Sequence, residues 1–529
     1  MTDQSTVRPE LIIALVCPLG ASIEKLQGLL RDELKNFGYT SETIHVSRLL
    51  ENLDLWTPLP DSSEKTRIEH YQLKAFEFRR IGGTDALARA TIAAIREKRR
   101  TKSGHPDKPS GACAYILRQL KHPKEIELLR KVYGQSFLVV AGNEPEKNRI
   151  ATLAANLAKD KSDPSTKDRH EAEILIGVDT KEKHPDDDDA KFGQNTRDTF
   201  PLADVFIDLA HENADDQLRR FIQLIFGHPF RTPTPEEMAM YQANAMSLRS
   251  SDERRQVGAV IVTRKKQEGA PSMDVDIVAS GMNEVPRRQG GFYWEGEFLD
   301  ARDQALKRST SRDRENVIKL EALGEIANLL RNNNWLAPKF KSLKPVDLND
   351  KLLQLLRHSQ FMDISEFMRQ VHAEMSAIVD AAKRGVAVRG GEMYVTAFPC
   401  HNCAKHIIAA GITRVIYLEP YPKSRATKLH GEEIVTDPSD QNSDADMVEF
   451  KSFTGVAPRQ YARLFGMSAR SYKNGGYQLN DWNDKRSTLS PLYVLANAAQ
   501  AYVCSEREDL ERLPKEYKWD RAALCPPKQ

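Results

Sequence analysis

Residues 11–17 form a continuous apolar, β-rich run, followed by a polar turn at 18–22 and an amphipathic helical pattern at 23–37. Apolar runs at 137–141 and 205–209 predict further strands, and helical spacing predicts helices at 84–99 and 125–133. Alternating strands and helices predict a parallel sheet covered by helices on both faces. The charged stretches at 159–170 and 181–189 read as solvated loops, the second in a position that suits a lid.

The pattern changes after residues 227–235, where Gly227, Pro229, Pro233 and Pro235 break both helix and strand. A helix then runs to about 248, with Glu236 and Glu237 suiting its first turn. Paired strands follow at 257–263 and 276–280, joined by the polar turn 265–272. A further buried strand at 391–397 leads to a helix at 403–410 and another strand at 414–418. A second helix starts at His372 and Glu374 and stops at Gly385. The expected division is 1–227, a linker at 228–235, a second domain at 236–475 with an insert at 287–368, and a helical tail at 476–529. The insert carries helical patterns at 317–330 and 348–356 and reads as a cap or subunit contact, with its aromatics at 292–294 in the core.

At 529 residues the chain is too long for one ordinary core. Its net charge of +2 lacks the concentrated basic excess of a nucleic-acid binder. Six cysteines in a chain of this length do not make a disulfide framework. No apolar stretch of ~20 residues occurs and the first ten residues lack a signal-peptide pattern, so a cytoplasmic protein without a membrane span is expected.

The chemistry concentrates in His372-Ala373-Glu374 and Pro399-Cys400-His401-Asn402-Cys403. Two cysteines three positions apart at a helix start point both sulfurs the same way across one turn, where the positive helix end favours thiolates. With His372 they make three ligands for Zn²⁺, leaving a fourth position for water, the arrangement of a catalytic site. His-x-Glu with Pro-Cys-x-x-Cys is the zinc nucleobase-deaminase signature, in which the glutamate is no ligand but moves protons; here that residue is Glu374. Lys423 and Ser424 follow a strand end, which suits a phosphate contact as well as a surface loop. Gly20, Ala21 and Ser22 follow the first strand at a helix N-terminus, a candidate nucleotide-binding turn. It lacks the Lys-Ser/Thr pair of a working P-loop, so little ATP turnover is expected. Arg118, Lys121 and Glu125 read as a solvated face or as nucleotide contacts, and Cys504 and Cys525 as unpaired core thiols.

On residues 255–262, 280–286, 372–378, 399–405 and 411–417 the chain resembles the deoxycytidylate deaminase family. It departs from that pattern at Ser376, where asparagine is usual, and by its insert. It is similar over a longer span to the bacterial anti-phage deoxycytidine nucleotide deaminases. The resemblance implies an α/β protein: an N-terminal P-loop kinase-like parallel sheet, degenerate in its loop, followed by an α/β/α cytidine deaminase-like domain. It also implies a dCTP or dCMP substrate, depletion of dCTP during phage infection, a homo-oligomer, and control by an inhibitory small RNA. In relatives the residue matching Asn283 faces sugar and base; from spacing alone it equally suits a turn-forming asparagine. The competing readings are a housekeeping dCMP deaminase, a deaminase acting on RNA or single-stranded DNA, and a nucleotide-sensing scaffold with structural zinc.

Overall fold

The computed structural model describes residues 8–59, 63–158, 164–182, 187–266, 273–297, 300–302, 314–356, 359, 368–420, 424–436, 446–466, 479–494 and 498–526. The chain divides into two compact units, residues 1–241 with 452–529, and residues 242–451. The first unit thus takes segments from both sides of the second, and residues 236–241 and 452–466, read above with the second domain, lie in it.

The first unit is built on β1 (Leu11–Val16), β2 (Thr40–His45), β3 (Cys113–Arg118), β4 (Phe137–Asn143) and β5 (Val205–Asp208), all parallel, in the order β5-β4-β1-β3-β2. Every residue of β1 is buried, as expected of a strand covered on both faces. Helix Ile23–Asn36 packs its Leu26, Leu30 and Leu34 stripe into the same core as Leu11, Ile13 and Leu15. Each such leucine is worth about 1.5–3 kcal/mol of burial. Because β1 has β3 on one side and β4 on the other, residues 17–22 lie at the point where the strand order reverses, outside the carboxyl ends of the strands.

The C-terminal segment completes this unit. Gly455–Val456 pairs antiparallel with β5, and Gln460 Nε2 donates to the buried Asp204 carboxylate at 2.9 Å. In helix Ala498–Leu510, Glu506 is fully buried and accepts from Arg96 Nη1 and Arg99 Nη1, both at 2.8 Å. Arg99 also donates to Glu10, which accepts from Tyr502.

Four sequence expectations change here. Residues 166–170 are helical, within Thr166–Thr180, because Ser165 and Asp168 form a capping box. Glu125 is buried against Arg79 at 2.9 Å and Lys121 pairs with Asp179 at 2.7 Å, so neither belongs to a solvated face. Cys504 is exposed and Cys525 half-buried. Trp294 is 57% exposed, with the Arg249 guanidinium 3.4 Å from its ring centroid, while Tyr293 is buried.

The second unit contains β6 (Gly258–Lys266), β7 (Met273–Met282), β8 (Glu392–Ala397), β9 (Arg414–Glu419), β10 (Ile434–Thr436) and β11 (Val448–Ser452), in the order β10-β11-β9-β8-β6-β7. β6 is antiparallel to β7 and β8, while β8 and β9 are parallel. Helix Ala373–Arg384 lies tightly on β7: a Cβ at Gly281 would stand 2.3 Å from the Ala377 nitrogen. Ala373, Ala377 and Ala381 bury that face with Ala259, Ile261 and Met393. Among the described residues no helix is long and apolar enough to cross a membrane.

Candidate functional site

Two helix N-termini supply the candidate ligands. Cys400 is the N-cap of helix His401–Ala409, at the end of the chain leaving β8, and Phe398 N–H still donates to the Glu419 carbonyl at 2.8 Å. His372 is the N-cap of helix Ala373–Arg384. Both positions have extended backbone at the cap, so their side chains stand at positive helix ends. Gly385, with φ of 70°, stops the second helix as the sequence predicts.

Cys400 Sγ lies 3.4 Å and Cys403 Sγ 3.3 Å from His372 Nδ1, and the three donor atoms lie within 4.8 Å of one another. Nitrogen and sulfur donors around a tetrahedral zinc are about 3.6 Å apart, so both nitrogen–sulfur separations are close to what that ion needs. Its charge fits as well. Hydrogen bonding from Cys403 and His372 pulls the Cys400 thiol down to about 4, and the Cys400 hydrogen bond raises the His372 imidazole to about 9. A thiolate thus faces a protonated ring at the place where a cation would bind both. Burial pushes the Cys403 thiol well up.

Glu374 is 4% exposed, one helical position beyond Ala373. Burial first, then the Cys400 charge, raises its carboxyl above the usual range. A buried carboxyl whose proton affinity is raised in this way is suited to taking up a proton and handing it on.

The remaining sequence-marked residues are placed differently. Asn283 is buried with its amide engaged: Oδ1 accepts from Val257 N–H at 2.7 Å, and Nδ2 donates to Asp252 Oδ2 at 3.1 Å and to the Arg255 carbonyl at 2.8 Å. Ser424 Oγ donates to the Pro399 carbonyl at 2.7 Å and accepts from Ala426 N–H at 3.2 Å, tying its loop to the turn that carries Cys400. Lys423 lies outside the described residues. Gly20, Ala21 and Ser22 belong to the first unit, in the loop after β1.

One residue beside the site was not legible. Glu284, buried after Asn283, accepts from Ser251 N–H at 2.9 Å and from Val285 N–H at 2.8 Å. It falls within the resemblance at 280–286, but nothing in its spacing marks it as an acceptor for backbone N–H groups.

Residues 233–419 match the family model described as the cytidine and deoxycytidylate deaminase zinc-binding region. This part of the chain is similar to the deoxycytidylate deaminases. The matched region is zinc-binding, and zinc is the cofactor for which His372, Cys400 and Cys403 form the candidate site.

The chain is 41% identical over 68 residues to the deoxycytidylate deaminase of Enterobacteria phage T2, covering 13% of this chain and 34% of that protein. It is 53% identical over 53 residues to ComE operon protein 2 of Bacillus subtilis (strain 168), covering 10% of this chain and 28% of that protein. It is 38% identical over 74 residues to the human deoxycytidylate deaminase, covering 14% and 40%. The chain therefore spans well under half the length of each of these relatives. The dCMP deaminase of cyanophage S-TIM5, a solved structure, is 16% identical with a TM-score of 0.21, covering 42% of this chain and all of that one.

Proposed function

We propose that this chain hydrolyses the exocyclic amine of a deoxycytidine nucleotide, dCMP or dCTP, giving the deoxyuridine nucleotide and ammonia. One observation carries the reading. A buried carboxyl of raised proton affinity, Glu374, stands two residues from His372 in a site whose three donors have zinc spacing.

Zinc, when bound, supplies a Lewis acid that makes water nucleophilic near neutral pH. The protein's own part is proton transfer. Glu374 takes a proton from the attacking water and gives it to N3 of cytosine, then carries the second proton to the amine as the C4–N4 bond breaks and ammonia leaves. Burial keeps Glu374 away from bulk water, so the protons it moves are those of the reaction. Asn283 serves the site by fixing loop 252–257, and Ser424 by holding the Cys400 turn. Lys423, in the same loop as Ser424, is the candidate phosphate contact.

The anti-phage role, in which deamination drains the dCTP pool during infection, is part of the same proposal and rests on the resemblance alone. Subunit assembly fits the insert, whose Leu329, Trp335 and Leu355 are exposed, and regulation by a small RNA belongs to the same reading. A housekeeping supply of dUMP fits the same chemistry.

Ammonia release from dCMP, dCTP, deoxycytidine, CMP and a deoxycytidine oligonucleotide tests the proposal. Turnover of dCMP or dCTP is expected, and preference for dCTP with loss of cellular dCTP during infection favours the defence role. Turnover of the oligonucleotide alone would overturn the substrate assignment.

A further inference from the structure

After β1 the chain turns through residues 17–22 into helix Ile23–Asn36, where a strand-loop-helix unit offers free backbone N–H groups to a phosphate. In this chain three of the loop's groups are engaged internally. Leu19 N–H donates to Asp179 Oδ2 and Ser22 N–H to Glu144 Oε2, both at 2.9 Å, and Ala21 N–H donates to the Pro18 carbonyl at 3.2 Å. Asp179 is 2% exposed.

The neighbouring cations are engaged too. Lys121 Nζ meets Asp179 Oδ1 at 2.7 Å and the Cys17 carbonyl at 2.9 Å, and Lys25 Nζ donates to the Leu209 carbonyl at 2.8 Å. The Arg149 guanidinium donates to the carbonyls of Glu144 at 3.1 Å and Leu19 at 3.3 Å. The helix Glu146–Ala158 sits directly on the loop, since the Arg149 carbonyl oxygen lies 2.5 Å from where a Cβ on Gly20 would stand. Gly20 also has φ of 86°, so a side chain is excluded there on both counts.

We infer that Asp179 and Glu144 are built-in anions that close this loop. Their carboxylates hold two of the N–H groups a phosphoryl ligand would use, those of Leu19 and Ser22, and they fasten the segments before and within helices 146–158 and 166–180 to the end of β1. A carboxylate on a backbone N–H makes a charge-assisted bond. A phosphate entering here would have to displace one such bond while facing the other carboxylate. The first unit is therefore a locked structural unit at this loop, and removal of Glu144 uncovers a latent anion site. The inference is independent of the deaminase reading and fails or stands separately from it.

Hydrogen exchange on the full-length, zinc-loaded protein tests it through the peptide covering residues 17–30, a readout local to the loop. In the wild type, inorganic phosphate and MgATP leave the protection of that peptide unchanged. In Glu144→Ala, exchange there accelerates at least tenfold, and inorganic phosphate restores the protection in a saturable way. Added protection of the wild-type peptide by phosphate or MgATP overturns the inference. So does a Glu144→Ala peptide that exchanges like the wild type or does not respond to phosphate.

Discussion

Val371 pairs antiparallel with Glu284: Val371 N–H donates to the Glu284 carbonyl at 3.0 Å, and the Val371 carbonyl accepts from Glu284 N–H at 3.2 Å. This pair joins the chain leaving β7 to the residue before His372, so the position of one candidate zinc ligand depends on the turn 283–286. The Glu284 carboxylate fixes that turn through Ser251 and Val285. Glu284→Ala leaves two backbone N–H groups without their acceptor, a loss of about 1–3 kcal/mol. Urea unfolding should show this lower midpoint, and competition with a chelator should show faster zinc loss. A variant equal to wild type in both would remove Glu284 from the support of the site.

Zinc binding should release protons in a number fixed by the free site. His372 is protonated below about 9, Cys403 stays a thiol well above its ordinary range, and Cys400 is already ionised above about 4. Near pH 7 the metal therefore displaces about two protons, and affinity falls roughly 100-fold per pH unit as pH drops between these limits. Calorimetry of zinc binding in buffers of different ionisation enthalpy counts them. Release of three would mean that Cys400 is also a thiol in the metal-free protein.

Helix Ala498–Leu510 is held by charges that cannot be removed singly. Arg96, Arg99, Glu10 and Glu506 are all buried, and Glu506 accepts from both arginines. Glu506→Ala should destabilise the first unit by on the order of 3 kcal/mol, because two guanidinium groups lose a buried partner. Hydrogen exchange in peptides spanning 86–103 and 498–510 measures it. Unchanged protection there would contradict a structural role for the network.

What the sequence revealed follows from how each feature is built. β1, β4 and β5 are buried runs, so their residue types alone mark them as strands. β2, with only Ile44 buried, gives no such run; it is held by pairing to β3. His372, Cys400 and Cys403 were legible because metal geometry demands those side chains at those spacings. Glu284 was not, because it grips backbone N–H groups that any sequence offers. The ends of the chain meet through partners such as Arg99 and Glu506, more than 400 positions apart, which no local periodicity records. The closed loop at Gly20 likewise depends on Glu144 and Asp179, remote in sequence from Ser22 and Leu19.

The central claim separates holding the metal from moving protons, and Glu374→Gln tests it. The amide keeps the shape of a side chain that lies buried beside the ligands but can no longer accept and return a proton. General acid-base groups contribute about 10² to 10⁴ in rate. Zinc content, dCMP and dCTP binding, and ammonia release are measured on one preparation of the variant. The account predicts full zinc, retained nucleotide binding, and ammonia release lowered by at least about 10². Ammonia release near the wild-type rate, with zinc in place, would contradict it.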